Sequence, residues 1–498
     1  ARHTMRHHMR HRHRHFGGLL GQGVRAVAAS DGHGNTSNSN NDRVYAAVQQ
    51  FGGNVCSRST KTTLDRGRTG ALSSGARGLV QFVRISKCDT FAMIIMKFTP
   101  MSRLLATLSL TAAMAQAALA TDFHNCIQNL QGAAQAAGVS KATFEKHTQG
   151  LQPDSTVLQK LDYQPEFKMA VWDYLAGLVD EERVADGKQG LAQHAETLKK
   201  VSEKYGVDAA TVVAVWGVES NFGRAQGKYQ LTQALGTLAC MGRRQAFFRG
   251  EFFSALRILQ GGHFAPEKLV GSWAGAFGQT QFMPSTFERL AVDFDGDGRK
   301  DLIDSAADAL GSTANFLKQG GWQSSEPWGF EVKLPDGFNA ALIGRKLKKP
   351  VADWTRLGVA RIANQSSGAL TGAGITANTS AALLAPAGVA GPVFLVFKNF
   401  DVIYGYNASE SYGLAIAHLS DRLRGGGAFV TAWPTDDPGL ARVERRELQT
   451  LLTKRGHDIG EIDGMLGEKS RAAIEKEQAR LGQKVSGRAG AKLLAALR

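Results

Sequence analysis

The feature that most restricts this chain is a helix-length apolar run that ends in a carboxylate. From Val207 through Ala209, Ala210, Val212, Val213, Val215 and Trp216 to Val218 almost every side chain is apolar. Such a run predicts a helix buried on most of its sides. Glu219 follows at once, in the stretch Trp216-Gly217-Val218-Glu219-Ser220-Asn221-Phe222-Gly223. A carboxylate in that position costs free energy unless it is protonated, paired or turned into a cleft. Desolvation raises a carboxyl pKa, which makes a proton donor near neutral pH. A cap or an ion pair with a neighbouring loop is the alternative that spacing leaves open.

Charge separates the chain into unequal parts. Its 498 residues carry a net charge of +15, which points to nucleic acid or an anionic surface as a partner. Residues 1–120, however, hold 16 Lys and Arg against 4 Asp and Glu, which leaves 43 against 40 in the rest. The globular part is therefore nearly balanced, and a nucleic-acid binder is disfavoured. Residues 1–95 open on a His/Arg tract from Arg2 to His15 and run on through Gly, Ser and Asn without a period; that composition cannot bury a core.

From Met96 the chain reads Met-Lys-Phe-Thr-Pro-Met-Ser-Arg, then an Ala- and Leu-rich run over Leu104–Ala120. This is the pattern of a signal peptide at 96–120, with a positive start, an apolar middle and a small-x-small end. The run is short and Ala-rich for a membrane span. We therefore expect translation to start at Met96 or Met101, with 1–95 a mis-assigned upstream extension. The mature protein then begins near Thr121 and is exported to the periplasm without a retained span. Two cysteines, Cys126 and Cys240, remain after cleavage, either as one disulfide or as two buried thiols.

Residues 121–215 read as helices: Phe123 to Ala137, Lys141 to Gln149 with Ser140 as N-cap, Trp172 to Val184, and Gln193 to Tyr205 with Gly206 as C-cap. Strand character appears at Phe330–Leu334 and Gly391–Phe397, separated by a Gly/Ala/Ser/Thr-rich stretch over 365–390 that reads as loops. Residues 326–400 thus form a small β-containing insert that helps to wall a cleft, and Tyr412 to Leu423 returns to helix. A second dense region, Ser272-Trp273-Ala274-Gly275-Ala276-Phe277-Gly278-Gln279-Thr280-Gln281-Phe282-Met283-Pro284-Ser285, allows close backbone approach and offers polar groups to a substrate.

These motifs, in this order, carry a resemblance. Glu219-Ser-x-Phe-Gly, the Cys-x-Arg-Arg-x-x-Phe-Phe-Arg-like stretch at 240–249, Gly-Gln-Thr-Gln-Phe-Met-Pro-Ser at 278–285, and Asn399-Phe400 with Tyr406-Asn407 resemble the lytic murein transglycosylase B family over roughly 121–425. The resemblance implies a mainly α, lysozyme-like α+β catalytic domain that acts on peptidoglycan glycan strands. It implies that Glu219 cleaves the MurNAc–GlcNAc bond and leaves a 1,6-anhydro end, and that Ser272, Gln281, Asn399 and Tyr404 bind glycan. Glycoside hydrolysis generally uses two carboxylates, and neither the 216–223 nor the 272–285 motif holds a second. A single carboxylate must let the sugar's own C6 hydroxyl attack C1. A hydrolytic muramidase, or a non-catalytic wall-binding protein, is the competing reading.

Asp293-Phe-Asp-Gly-Asp-Gly-Arg-Lys-Asp-Leu-Ile-Asp304 has the spacing of an EF-hand calcium loop. Oxygen ligands fall at Asp293, Asp295, Asp297, Asp301 and Asp304, with Gly298 at the sixth position and the Arg299 carbonyl at the seventh. Glu is usual where Asp304 stands. A structural Ca2+ is expected, and the family named above carries such a loop. Gly425-Gly426-Gly427 and Pro434 to Gly439 read as a linker over 426–440. The last residues, 441–498, resemble the small three-helix peptidoglycan-binding domain. They contain a faint repeat in which Asp463-Gly464 recurs as Ser486-Gly487. We expect a monomer.

The leader makes the first prediction. N-terminal sequencing of the protein recovered from the periplasm is expected to start near Thr121, and a mature start upstream of Met96 would remove the leader assignment.

Overall fold

The computed structural model describes residues 121–162, 168–362, 368–372 and 374–498. The expected leader and the extension before it lie outside the described residues. About half of the described residues are helical, with one five-stranded sheet and one two-stranded pair, which is the expected mainly helical class. No helix among the described residues is long and apolar enough to cross a membrane.

The first helices form a layer around the bonded pair Cys126–Cys240. This bond ties the helix over 121–129 to the helix Leu231–Met241 across 114 residues of sequence. Phe123, Ile127, Leu235, Leu238 and Phe252 fill the core around it. Ser140 caps Lys141–Thr148 by accepting from the Thr143 amide at 3.1 Å, as expected. The run from Trp172 to Val184 is not one helix. It divides into α1 (Val171–Leu178) and α2 (Glu181–Gln193), because the Asp180 side chain accepts from the Arg183 amide at 2.8 Å and caps a new start. The next helix, α3 (Ala195–Tyr205), ends at Gly206 with φ +68°, the left-handed cap that the sequence predicts.

The central helix α4 (Ala209–Ser220) is capped by Asp208 and buried along almost its whole length. Val212, Val213, Ala214 and Val215 are fully enclosed. It packs chiefly against α11 (Glu410–Leu423), and also against α2 and α8 (Ala306–Gln319). Between α4 and α8 lie α5 (Leu231–Met241), α6 (Gln245–Gln260) and α7 (Pro284–Leu290). A two-stranded pair, β1 (Tyr229–Gln230) with β2 (Val270–Gly271), braces the loop over 271–282 and was not expected.

The insert is a five-stranded antiparallel sheet in the order β4-β6-β7-β3-β5, from β3 (Gly329–Lys333), β4 (Lys349–Pro350), β5 (Ala360–Arg361), β6 (Ser380–Leu384) and β7 (Val393–Val396). The strand β6 corrects the reading of 365–390 as loops. One sheet face packs on Trp354, Phe330 and Phe397, and the other meets the main core through Ala382, Leu384, Phe394 and Val396. The chain returns through α9 (Val351–Arg356) within the insert, and then α10 (Lys398–Asn407) and α11.

The stretch after α11 is no free tether. Phe429 stacks on His418 with centroids 3.9 Å apart and meets Phe394 at 4.7 Å, and Trp433 lies 6.4 Å from Trp172. The Val430 and Thr431 amides donate to Glu331 at 2.7 and 2.8 Å. The C-terminal unit then folds as α12 (Arg442–Lys454), α13 (Glu468–Arg480) and α14 (Ala491–Leu497) around Leu448, Leu452, Ile474 and Leu494. Its sequence repeat is a structural one. Buried Gln449 accepts from the Gly464 amide at 2.7 Å, and buried Gln478 accepts from the Ser486 and Gly487 amides at 2.8 and 3.0 Å. Ser486 replaces Asp463 without loss of the clamp, since each receives a hydrogen bond from its glutamine, at 3.3 and 3.1 Å.

The α11 contact with the strap yields a pH prediction. His418 is 7% exposed, and burial, aided by Arg422, lowers its pKa to about 4. The unfolded chain takes up this proton near pH 6.5 and the folded one does not. The stability it supports is therefore complete above 6.5 and lost as pH falls toward 4, by up to about 3 kcal/mol. Asp421, whose carboxylate still meets solvent, is raised by burial to about 6 and acts in the opposite sense. Comparing wild type with His418→Phe isolates the histidine: melting temperatures at pH 7 and pH 4.5 should differ less in the variant.

Candidate active site

Glu219 sits in the last turn of α4, half-buried. Two tyrosines from the other side of the fold close on it. Tyr412, in the first turn of α11, donates its hydroxyl to Glu219 Oε1. Tyr406, near the end of α10, donates to the Thr280 carbonyl at 2.9 Å. Its ring lies 6.4 Å from that of Tyr412 and 4.4 Å from Phe316. Burial first, and then the charge on Glu219, push both phenols well above their usual pKa. Both therefore stay neutral donors at any working pH, and Tyr412 fixes the rotation of the carboxyl group.

The turn after Glu219 is built from consecutive left-handed residues, with φ of 51° at Asn221, 59° at Phe222 and 82° at Gly223. Two of these carry side chains, so the turn stores strain that its surroundings must offset. Ser220 supplies much of the hold: its hydroxyl donates to the Gln279 carbonyl at 2.6 Å and accepts from the Gly223 amide at 2.9 Å. Gln279 then ties three parts together. Its Oε1 accepts from Trp216 Nε1 at 2.9 Å, its Nε2 donates to the Ile303 carbonyl at 3.1 Å, and its backbone amide donates to the Leu302 carbonyl at 2.7 Å. Gly223 is needed here for space as well as for φ, because a Cβ would lie 2.8 Å from Gln279 Oε1.

The residues expected to bind glycan fall into different places. Ser272 closes a tight turn with Ala276: its amide donates to the Ala276 carbonyl at 2.7 Å, and its hydroxyl accepts from the Ala276 amide at 3.1 Å. Gln281 has φ +50° and spends its amide group on the Gln226 and Gly278 carbonyls, at 3.0 and 2.8 Å. Tyr404 is partly exposed beneath the Arg345 guanidinium, 3.6 Å from the ring centroid. Asn399 corrects the expectation. It is fully enclosed, accepts from the Gln323 amide at 2.8 Å, and donates to the Gln323 and Glu326 carbonyls. Its side chain joins α10 to the 323–326 loop, with both amide hydrogens used and no surface open to a glycan. Tyr412, Gln279 and Ser220 were missed as site residues. Tyr406 and Gln279 lie within quoted motifs, but nothing in the local pattern of Tyr412 distinguishes it from a core tyrosine.

The acidic loop behind Gln279 gathers three of its expected ligands. Carboxylate oxygens of Asp293, Asp295 and Asp297 lie within 4.8 Å of one another, the one such group among the described residues. Gly296 and Gly298 adopt φ of 83° and 88°, which the tight loop needs. Asp301 instead accepts from the Ile303 and Asp304 amides, both at 2.8 Å, and Asp304 pairs with Lys268. Fully buried Asp308, which was not singled out, anchors the loop by accepting from the amides of Phe294 and Asp301, both at 2.7 Å.

This architecture, with a buried helix that presents a glutamate to two tyrosines, is that of the lysozyme-like transglycosylases. The transglycosylase SLT domain family matches residues 122–421, more than half of the chain, and a peptidoglycan binding domain family matches 442–497. The chain belongs to the transglycosylase SLT domain family. It is similar to the membrane-bound lytic murein transglycosylase B of Escherichia coli (strain K12), at 36% identity over 171 residues, which are 33% of this chain and 47% of that protein. The chain thus spans about half the length of that curated relative. Among solved structures, it is 44% identical to SltB3 from Pseudomonas aeruginosa in complex with NAG-anhNAM-pentapeptide, over 76% of this chain and 99% of that one, with a TM-score of 0.60. It is also 28% identical to the Escherichia coli lytic transglycosylase Slt35 in complex with calcium, over 61% and 93%, with a TM-score of 0.51.

Proposed function

We propose that this chain is an exported lytic transglycosylase that cleaves the MurNAc–GlcNAc bond of peptidoglycan and leaves 1,6-anhydro-MurNAc ends. The observation that carries the proposal is the Glu219 carboxyl group held by the Tyr412 hydroxyl at the end of a buried helix. As the acid, Glu219 protonates the glycosidic oxygen and the C1–O bond breaks. As the base, the same group then takes the proton of the C6 hydroxyl while that oxygen bonds to C1, so no water is consumed. The complex of SltB3 with an anhydro-sugar ligand supports this outcome. The bonded cysteines suit an oxidising compartment such as the periplasm. The C-terminal unit would hold the enzyme on the wall, and we take the protein to act as a monomer.

Two outcomes decide the chemistry. Glu219→Gln keeps the shape of the side chain but delivers no proton, so turnover of sacculi should fall by at least about 10²–10⁴-fold. Mass spectrometry of the wild-type digest should show anhydro-muropeptides. Reducing MurNAc ends would instead make the enzyme a muramidase, and full activity in Glu219→Gln would remove that residue from the reaction.

The acidic loop supports a bound calcium, held by Asp293, Asp295 and Asp297 with the Arg299 carbonyl. The clustered carboxylates fit a hard cation with oxygen ligands. When bound, the ion offsets their mutual repulsion and stiffens the loop behind Gln279. Saturation at a hundred times the dissociation constant adds about 2.7 kcal/mol. Melting temperature should therefore rise with calcium and fall with chelator in wild type. Neither response is expected in Asp293→Ala/Asp297→Ala, and an unchanged response would exclude the loop.

A further inference from the structure

The C-terminal unit is docked on the catalytic domain through arginines, one of which reaches a carboxylate that also holds the turn after Glu219. On α12, Arg442 lies 3.8 Å from Asp180, 3.9 Å from Glu182 and 3.6 Å from Asp186. Arg446 pairs with both oxygens of Glu182. Arg488 pairs with both oxygens of Asp173, at 2.6 and 2.8 Å. Arg445 lies flat on Gly177, where any Cβ would fall 2.2 Å from its guanidinium.

Asp186 is shared between the domains. The oxygen that Arg442 approaches also accepts from Arg224 Nη1 at 2.7 Å. Arg224 belongs to the left-handed turn that follows Glu219, where its amide donates to the Asn221 carbonyl at 3.4 Å. A second route is parallel. Arg183, 4% exposed, donates to the Gly217 carbonyl, two residues before Glu219. Burial foremost, and then the nearby positive charge of Arg442, lower its pKa to about 10, against the pull of Asp180. The cluster leaves both donors and an acceptor unmatched: Arg183 Nε, Arg442 Nη2 and Asp180 Oδ2 are buried without a hydrogen-bond partner among the described residues. A docked Arg442 therefore shares Asp186 with Arg224, on the far side of the turn, and adds positive charge beside Arg183, which holds the near side through the Gly217 carbonyl.

We propose that Arg442, acting through Asp186, is a positioning residue for Glu219, so that this one contact of the C-terminal domain sets the rate of cleavage. The inference rests on the function proposed above. It differs from simple tethering, which raises the local concentration of substrate without altering the turnover of a bound one.

The test uses the full chain and a soluble glycan oligomer, which removes retention on insoluble wall from the measurement. Arg442→Gln, Asp186→Asn and the double variant are compared for kcat and KM, with Arg446→Gln as the control that loosens the same interface at Glu182. Arg442→Gln and Asp186→Asn should each change kcat by roughly 2- to 30-fold with little change in KM. The double variant should fall short of the product of the two effects, Arg442→Lys should restore much of the wild-type value, and Arg446→Gln should leave kcat unchanged. An unchanged kcat in Arg442→Gln, additive effects, or an equal loss in Arg446→Gln would overturn the proposal. Should Asp186→Asn fail to fold, the Arg442 variants and the Arg446 control decide alone. A wild type that yields no cleavage products would fail the functional reading, whereas an active wild type with an indifferent Arg442→Gln fails this inference only.

Discussion

The side-chain amide of Gln279 is the contact on which the site depends. It receives the indole of Trp216 from the catalytic helix and gives its own hydrogen to the carbonyl of Ile303, at the exit of the acidic loop. An amide can do both because one end accepts and the other donates in a fixed plane. The backbone on either side continues the same function, with the Gln279 carbonyl taking the Ser220 hydroxyl and its amide meeting Leu302. Three segments far apart in sequence thereby share one residue that is only 6% exposed. Any loosening of the acidic loop is passed to the turn that carries Glu219, although that loop supplies no group to the reaction.

The sequence made the helix that carries Glu219 legible because burial on all sides leaves a continuous apolar run; its cap, Asp208, was not singled out. The acidic loop was legible because ligand spacing is a local property. What could not be read was non-local. Ser380-Ala-Ala-Leu-Leu384 lacks β-branched residues and would suit a helix as well. It becomes a strand because β4 and β7 flank it and both of its faces are covered. Trp172 to Val184 looks like one amphipathic helix until the Asp180 cap is seen to divide it. Tyr412 meets Glu219 from 193 residues away, and no periodicity carries that information. Asn399 shows the converse error: its motif was found, but the amide serves the 323–326 loop instead of the cleft.

Glycine-rich composition likewise misled at 426–440. A Gly-Gly-Gly segment is flexible on its own, yet the aromatics that follow it find sites on the catalytic domain. Phe429 fits against His418 and Phe394, and Trp433 lies beside Trp172. Charge then completes the docking, with Asp173, Asp180, Glu182 and Asp186 on one side and Arg442, Arg446 and Arg488 on the other. Partial burial makes such pairs directional, because an arginine that loses one carboxylate must find another or carry a desolvation cost. The interface therefore fixes an orientation more than it adds stability.

That orientation bears on how one carboxylate would serve twice in the proposed reaction. In a two-carboxylate site the acid and the base are tuned by separate surroundings. In the reaction proposed for this chain the same group would release a proton and later take one up, which calls for surroundings that favour neither state strongly. A neutral phenol meets this need. Tyr412 can donate to the ionised carboxylate, and it brings no charge that would hold the group ionised as a lysine or arginine would. Arg183 donates to the Gly217 carbonyl and Arg224 to Asp186, whose charge partly cancels that of Arg224. The guanidinium groups that hold the turn thus meet a backbone carbonyl and Asp186, and the hydroxyl of Tyr412 meets Glu219 itself.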